Sequence, residues 1–284
     1  MTFAAESRHL LSIAVAAARQ VEEPLKVAFR SEIGFGYKRD LHDIVTEHDK
    51  AAEERIVSHI LTEFPDSTIL GEEGGTTGNG AVHWYVDPID GTTNFACGIA
   101  HWCVSIAAAI DGQLVAGVIL DPMAGDLFTG SIDGAFSNEV PLAARAADDE
   151  TRALLLTSFP NARHFRDIGT EALTAQAELF DRFLALRNLG SGALHLAHVA
   201  AGWSDAVLGF STNPWDVAAG ILILERAGGR YVGLGKDGAP HESVTAPHYF
   251  AVGQGAQYPT LERIARGMAS AHTRDINKPK RALA

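Results

Sequence analysis

The stretch "WYVDPIDGTTNF", residues 84–95, leads from apolar residues directly into two aspartates, a glycine and two threonines. Val86 is predicted to end a buried strand. Pro88, whose φ angle is fixed by its ring, then turns the backbone so that Asp87 and Asp90 can face one point. Two carboxylates at the end of a strand are hard oxygen ligands of the kind that Mg²⁺ binds.

The residues after the second aspartate favour an anion. Gly91 and Thr92 are predicted to begin a helix, and the unpaired backbone N–H groups at a helix N-terminus carry partial positive charge. The segment therefore offers ligands for a cation beside donors for a phosphate. A polar turn with an aspartate capping a helix is the alternative, because Asp and Gly are enriched in turns. The alternating acidic positions of an EF-hand calcium loop are missing.

Composition limits the class of protein. A chain of 284 residues that is 46% hydrophobic can bury a large core, as one domain or as two closely packed lobes. The formal net charge of −12, without a dense basic stretch, argues against nucleic-acid binding and suits a protein that collects cations. With only Cys97 and Cys103 there is no disulfide framework, so we expect a cytoplasmic protein. No apolar run is long enough to suggest a membrane partner.

The two halves of the chain have different patterns. The first half predicts helices over about 4–29 and 49–64, followed by an antiparallel meander in which Asp111 and Gly112 form a hairpin turn. In the second half strands and helices alternate, which indicates layered α/β packing. We therefore predict an α+β lobe over residues 1–146, an α/β lobe over 147–271 and a disordered tail over 272–284.

Two further motifs give the opening stretch a context. "ILGEEGG" places Glu72 and Glu73 after a short apolar strand, and "PWDVAAG" places Asp216 in the first turn of a helix, after Pro214. In this order and spacing, from about residue 5 to residue 268, the chain resembles the inositol monophosphatase family. The resemblance implies a layered α-β-α-β-α sandwich of the sugar phosphatase type. It also implies a lithium-sensitive phosphoric monoester hydrolase that uses two to three Mg²⁺ ions, acts on a small phosphorylated substrate and forms a homodimer.

The resemblance also assigns metal ligands to this sequence. It implies that Asp87 bridges two ions, that Asp90 and Asp216 hold the second, and that a third ion lies near Glu72. The implied ligand set is Glu72, Asp87, the backbone carbonyl of Ile89, Asp90 and Asp216.

Other residues receive catalytic or substrate-binding roles from the same resemblance. Thr92 is expected to orient the attacking water and to donate a hydrogen bond to Asp49, with Glu72 as the third catalytic residue. The "DIVTEHD" segment matches at Asp43 and Asp49. The residues expected at the substrate are Lys38, Asp90, Gly91, Thr92, Gly190, Ser191 and Asp216.

Substrate identity is less well defined by the sequence. Relatives selective for inositol phosphates usually carry Glu seven residues before the last metal-binding Asp, where this chain has Gly209. Inositol 1-phosphate remains the first expectation. The alternatives are histidinol phosphate, another sugar phosphate, fructose 1,6-bisphosphate or a phosphorylated nucleotide, and, in a different class, a regulatory metal-binding protein without catalysis.

Two other features invite a functional interpretation. His195 and His198 lie three apart on a predicted helix and are expected to be packing or surface residues. The glycines of "GEEGGTTGNG" do not open a helix of a βαβ unit, so we expect a flexible flap there rather than a dinucleotide site.

Overall fold

The computed structural model describes residues 2–32, 34–37, 44–242 and 244–276. Within these ranges no helix combines the length and the apolarity needed to cross a membrane. The described helices are α1 (Phe3–Ala28), α2 (Glu47–Glu63), α3 (Thr92–Cys97), α4 (Ala162–Ile168), α5 (Thr170–Arg182), α6 (Gly192–Ala200), α7 (Pro214–Arg226) and α8 (Pro259–Ile276).

The strands form two large sheets and one small ribbon. The ribbon pairs β1 (Phe35–Tyr37) with β2 (Ile44–Thr46). The first large sheet contains β3 (Ser67–Gly71), β4 (Gly75–Gly78), β5 (Val82–Asp90), β6 (Cys103–Ile110), β7 (Gln113–Asp121), β8 (Asp126–Ser131), β9 (Gly134–Ser137) and β10 (Val140–Pro141). The second contains β11 (Leu154–Thr157), β12 (Ala185–Arg187), β13 (Ala206–Phe210), β14 (Arg230–Leu234) and β15 (His248–Val252).

The first sheet has the order β10-β9-β8-β7-β6-β5-β3-β4 and is antiparallel except between β3 and β5. The second has the order β12-β11-β13-β15-β14 and is mixed, because β11 runs parallel to β12 and β13 while β15 runs antiparallel to its neighbours. This mixed pairing agrees with the alternating strands and helices of the second half of the sequence.

Three apolar cores join the sheets and helices into five layers. The first core packs α1 and α2 on one face of the first sheet. The second lies between the two sheets and contains the buried faces of α6 and α7. The third packs α4, α5 and α8 on the outer face of the second sheet. Neighbouring strand residues enter different cores, as Leu155 and Leu156 do, because side chains alternate across a sheet. The expected α-β-α-β-α sandwich is confirmed.

Several local predictions are confirmed, and others are wrong in detail. Asp111 and Gly112 have positive φ and turn β6 into β7, as an Asp-Gly hairpin requires. The strand predicted to end at Val86 continues to Asp90, with a shift in register after Asp87. Gly169, with a φ of 72°, separates α4 from α5.

Two segments differ from their predicted flexibility. The glycine-rich stretch predicted as a flap contains β4, which pairs with β3 at the sheet edge. The last helix continues to Ile276, into the range 272–284 that the sequence predicts as a tail. Residues 277–284 of that predicted tail lie outside the described residues. The two predicted lobes share the second core, since α6 and α7 from the second half pack against the first sheet.

The contact between α7 and the first sheet depends on small residues. A Cβ on Gly117 of β7 would lie 3.2 Å from the Cα and the carbonyl oxygen of Ala219 on α7. Because these are backbone atoms, the helix cannot yield without moving away from the sheet. This close approach fixes the position of α7, which carries Asp216.

We expect Gly117→Val to lower the free energy of unfolding by about 1–3 kcal/mol, the usual range for an overpacked core. Urea unfolding would measure the change. Gly267→Ala is the matched control, since that exposed position on α8 has no heavy atom within 4 Å of the added Cβ and alanine favours a helix. Equal stability of Gly117→Val and the unmodified protein would contradict this account of the contact.

Candidate active site

The bend between Asp87 and Asp90 is held by its own backbone. The Asp87 Oδ1 atom accepts a hydrogen bond of 3.0 Å from the N–H of Ile89. Gly91 then caps α3 in the left-handed region, with a φ of 98°, where a side chain would be strained. A Cβ there would also lie 3.1 Å from the carbonyl oxygen of His101. The glycine therefore allows Asp90 to be followed at once by the start of a helix.

Asp90 is bound to the start of α6, about a hundred residues further along the chain. Its Oδ2 atom accepts hydrogen bonds of 2.5 Å from Ser191 Oγ and 2.6 Å from the N–H of Ala193. Burial raises the pKa of Asp90 to about 6, although the hydrogen bonds from Ser191 and the α6 backbone act in the opposite direction. Glu72 adds a further negative charge that raises this pKa.

Asp216 lies in the first turn of α7, which begins at Pro214 as predicted. Its Oδ2 accepts a hydrogen bond of 2.7 Å from the N–H of Asn213, which completes a capping box. Burial, followed by the negative charge of Asp90, raises the pKa of Asp216 to about 8. A helix-capping aspartate would ordinarily have a low pKa, so this increase indicates a crowded acidic environment.

Glu72 and Asp87 complete this acidic group. The N–H of Glu72 donates a 3.1 Å hydrogen bond to the carbonyl of Val86, which places Glu72 beside the end of β5. The pKa of Asp87 is raised well above its ordinary value, first by burial and then by the charges of Glu72, Asp90 and Asp216. A hydrogen-bonding contact with Glu72 raises it further. Four carboxylates from three separate motifs of the sequence therefore lie within electrostatic reach of one another.

The same carboxylates are engaged by protein donors. Within the described ranges, no three or more His, Cys, Asp or Glu side chains are gathered closely enough to hold a metal ion as they stand. Asp90 and Asp216 direct oxygens to backbone and hydroxyl donors instead. The effects of neighbouring charges on the pKa values of the three aspartates show that the four carboxylates share one neighbourhood, within which side-chain rotation can regroup their oxygens.

Thr92 and Asp49 form the predicted hydrogen bond. Thr92 Oγ1 lies 3.1 Å from Asp49 Oδ1 and 3.0 Å from the carbonyl oxygen of Ile89. Asp49 is fully buried, and its other oxygen accepts hydrogen bonds from the backbone N–H and side chain of Thr46 at the start of α2. The capping box of α2 thus fixes the carboxylate that faces Thr92.

Glu53 is a positioning residue that the sequence analysis did not identify. It lies one helical turn after Asp49 on α2 and accepts hydrogen bonds of 2.9 Å from the N–H of Glu73 and 2.6 Å from that of Gly74. Gly71 leaves room for it, because a Cβ there would lie 2.5 Å from the Glu53 carboxyl group. The spacing of four residues between Asp49 and Glu53 was the available sequence signal.

Asn94 is the second residue that the sequence analysis missed. Its Nδ2 donates hydrogen bonds of 2.7 Å to the carbonyls of His101 and Leu189, and so ties α3 to the loop before α6. Gly190, with a φ of 85°, follows in that loop, and a Cβ there would lie 2.9 Å from Asn94 Nδ2. The predicted pocket position of Gly190 therefore has a steric reason.

A cavity of about 240 Å³ opens beside these carboxylates. Asp90, Gly190, Ser191 and Asp216 line it, as does His195, which the sequence analysis expected to be only a packing or surface residue. Burial lowers the pKa of His195 to about 3, with the nearby His101 and His198 acting in the same direction. Lys38 and Asp43 lie outside the described residues.

A larger cavity of about 860 Å³ lies between α7 and β14. Its wall includes Glu225, Tyr231 and His241, but none of the predicted ligands. The smaller cavity is the candidate active site, because its wall includes the predicted ligands Asp90 and Asp216, whose pKa values are raised to about 6 and about 8.

Known proteins share both the sequence and the fold. A sequence profile of the inositol monophosphatase family matches residues 6–270. The Nus factor SuhB of Pseudomonas aeruginosa is 39% identical over 233 residues, which cover 78% of this chain and 83% of that protein.

Two solved structures illustrate the shared fold. The inositol monophosphatase of Anabaena (Nostoc) is 30% identical with a TM-score of 0.74, and the match covers 94% of this chain and 96% of that one. The IMPase of Thermotoga maritima is 27% identical with a TM-score of 0.80, and the match covers 92% of this chain and 98% of that one. With an acidic pocket built by the expected motifs, the chain belongs to the inositol monophosphatase family of phosphoric monoester hydrolases.

Proposed function

We propose that this cavity is the active site of a Mg²⁺-dependent phosphomonoesterase whose cations are held by Glu72, Asp87, Ile89, Asp90 and Asp216. The observation that carries the proposal is the convergence of Glu72, Asp87, Asp90 and Asp216, where burial and neighbouring negative charges raise the pKa values of the three aspartates. Such crowding without a cation opposes ionisation, so the group is suited to binding positive charge.

The donor set fits the proposed metal. Four carboxylates and a backbone carbonyl are oxygen donors, which Mg²⁺ prefers. His195 is the only imidazole on the described pocket wall. Two to three ions per site are part of the proposal. When bound, Mg²⁺ lowers the pKa of a coordinated water and stabilises negative charge on the phosphoryl oxygens.

The residues of the chain then position the reactants. The Asp49 carboxylate, held in place by Thr46, accepts a hydrogen bond from the Thr92 hydroxyl. This hydrogen bond orients the hydroxyl for contact with the attacking water. Backbone N–H groups of Gly91 and Thr92 are proposed donors to the phosphate. Because α3 has only six residues, its dipole adds little, and the direct hydrogen bonds carry this contact.

The alcohol of the substrate is expected in the part of the cavity between the start of α6 and the wall formed by β13. Gly190 and Ser191 line its α6 side, and the Ser191 hydroxyl already bonds Asp90. We propose inositol 1-phosphate as the first substrate to test. Histidinol phosphate, another sugar phosphate, fructose 1,6-bisphosphate and a phosphorylated nucleotide are the alternatives, because Gly209 offers no side chain to select a polyol. Inhibition by lithium, a homodimer and a cytoplasmic location are further parts of this proposal.

A second candidate function is regulatory. The relative from Pseudomonas aeruginosa is called a Nus factor, which favours a role for this chain beyond hydrolysis. The two functions are compatible, since they can use different surfaces. Phosphate release with Mg²⁺, measured with and without lithium, distinguishes an active hydrolase from a purely regulatory protein, which would release none.

Asp90→Asn is expected to reduce kcat/KM for inositol 1-phosphate by more than about 100-fold, beyond the usual effect of a residue that only supports a ligand. The asparagine oxygen can still accept hydrogen bonds from Ser191 and Ala193, so the fold should persist. Circular dichroism and phosphate-release assays would measure the two properties.

Asp133→Asn is the matched control, because Asp133 forms an exposed ion pair with Arg8. Its activity should equal that of the unmodified protein. Normal turnover in Asp90→Asn would refute the site assignment.

Magnesium should stabilise the protein more at pH 8 than at pH 5. In metal-free protein the pKa values of Asp90 and Asp216, raised to about 6 and about 8, exceed their ordinary value of 3.8. The folded state therefore holds more protons than the unfolded state within this window, and metal-free stability falls as pH rises from about 4 towards 8. Metal binding requires the deprotonated carboxylates, so it offsets this loss at high pH.

Thermal unfolding with Mg²⁺ or with EDTA across this pH range would measure the effect. Asp216→Asn should flatten the pH dependence of the metal-free protein. A Mg²⁺ effect of the same size at every pH would argue against the carboxylates as the binding group.

Thr92→Val should reduce kcat/KM by about 10- to 100-fold, as loss of a group that orients a reactant typically does. The double variant with Asp49→Asn should lose less than the product of the two single effects, because both changes break one hydrogen bond. Thr93→Val, on the exposed neighbour, is the control. Independent, multiplicative losses would show that Thr92 and Asp49 do not act as a pair.

A further inference from the structure

One wall of the candidate active site is built by a pair of residues on adjacent strands. Gly209 of β13 lies opposite Tyr249 of β15 in the antiparallel register. Both residues line the cavity that also contains Asp90 and Asp216. The tyrosine is 2% exposed, so its side chain belongs to the wall rather than to the surface.

The ring of Tyr249 occupies the space that a side chain at position 209 would need. A Cβ on Gly209 would lie 2.2 Å from Cε1 and 2.7 Å from Cζ of the ring. These distances are far below van der Waals contact, so the ring and any larger residue at 209 exclude each other.

Packing prevents the ring from simply moving aside. Tyr231 stacks on Tyr249, with ring centroids 4.9 Å apart and planes inclined by 24°. The Tyr249 ring is thus confined between Tyr231 and the strand that carries Gly209. After burial, the charges of Asp216 and Asp90 raise the pKa of the Tyr249 hydroxyl, which places this side chain beside the acidic group.

The remaining wall offers no other carboxylate to bind a polyol. Among the described residues that line the cavity, the only acidic side chains are Asp90 and Asp216, which we assign to the cations. The other side chains with polar atoms are Ser158, Ser191, His195, Ser211, Thr212 and Tyr249. Without another carboxylate to accept from a polyol, the space that the wall leaves open has a larger part in the selection of the alcohol.

We propose that Tyr249 is a specificity-determining residue that narrows the alcohol side of the pocket and favours phosphomonoesters of small alcohols over those of cyclitols. This inference rests on the proposed phosphomonoesterase activity. A six-membered ring bearing hydroxyls on every carbon needs both space and hydrogen-bond acceptors at this wall, and the tyrosine ring fills the space while offering one hydroxyl. Inositol 1-phosphate can then still be hydrolysed, but its kcat/KM should increase more than that of a smaller substrate when the tyrosine ring is removed.

The test compares kcat/KM for inositol 1-phosphate and glycerol 2-phosphate in the Mg²⁺-loaded full chain. Tyr249→Val should raise the ratio of the two values, inositol over glycerol, by about tenfold, the lower range for a change in the volume of a pocket. Tyr249→Phe, which retains the ring, should leave the ratio within about twofold of the original. If Tyr249→Val is unfolded at the assay temperature, Tyr249→Leu retains more apolar volume and replaces it.

Tyr258→Phe is the structural control. Tyr258 is also buried, and its hydroxyl donates a 2.7 Å hydrogen bond to the carbonyl of Ala147, away from the cavity wall. This variant can lose stability but should keep the substrate ratio.

A second measurement tests the steric argument without catalysis. Gly209→Ala should lower the melting temperature in the original protein and lower it much less when Tyr249→Val is present, because the two side chains compete for one space. If Gly209→Ala lowers the melting temperature equally with and without Tyr249→Val, the steric argument is contradicted.

The possible failures are distinguishable. If the unmodified protein releases phosphate from neither substrate, nor from any of the alternatives named under the proposed function, both the proposed function and this inference fall; if it hydrolyses only one of those alternatives, the preference for small alcohols is overturned and the phosphomonoesterase activity stands. If both substrates are hydrolysed and Tyr249→Val changes the two kcat/KM values by the same factor, only the inference is overturned.

Discussion

Electrostatic repulsion among four crowded carboxylates is the constraint on which the rest of this structure depends. Burial and neighbouring negative charges, that of Glu72 among them, raise the pKa values of Asp87, Asp90 and Asp216. A protein tolerates such an arrangement only if its scaffold holds the residues there. The scaffold does so with hydrogen bonds to backbone and hydroxyl donors, which also partly satisfy the carboxylates in the absence of a cation.

Most of these hydrogen bonds are made at the starts of helices. Asp90 meets the start of α6, Asp216 lies in the first turn of α7, and Asp49 caps α2 while it faces Thr92. Helix starts have unpaired N–H groups, so a carboxylate placed there stabilises the helix and is itself oriented. The same interaction therefore serves folding and site geometry, and substitutions at these residues should affect both.

Close packing then sets the shape of the pocket. Gly117 allows α7 to approach the first sheet closely. Gly71 leaves room for the Glu53 carboxyl group next to the residues that follow β3, and Gly209 leaves room for the ring of Tyr249. In each case another residue, further along or earlier in the chain, occupies the space that a side chain on the glycine would need. The first two contacts position proposed metal ligands, whereas the third gives the alcohol side of the cavity a wall that can differ among relatives with the same acidic group.

The sequence by itself determined the motifs and the periodic elements. The Asp-Gly turn, Pro214 at the start of α7, Ser191 before α6 and the layered packing all follow from local rules, and the family resemblance supplied the candidate ligands. Only the tertiary structure decided that Asp90 contacts Ser191, that Glu53 and Asn94 hold the loops, and that Tyr249 fills the space beside Gly209. Those contacts join residues 20 to 101 positions apart or lie across paired strands. Local propensity carries no information about such pairs, because their geometry is set by how the sheets and helices pack.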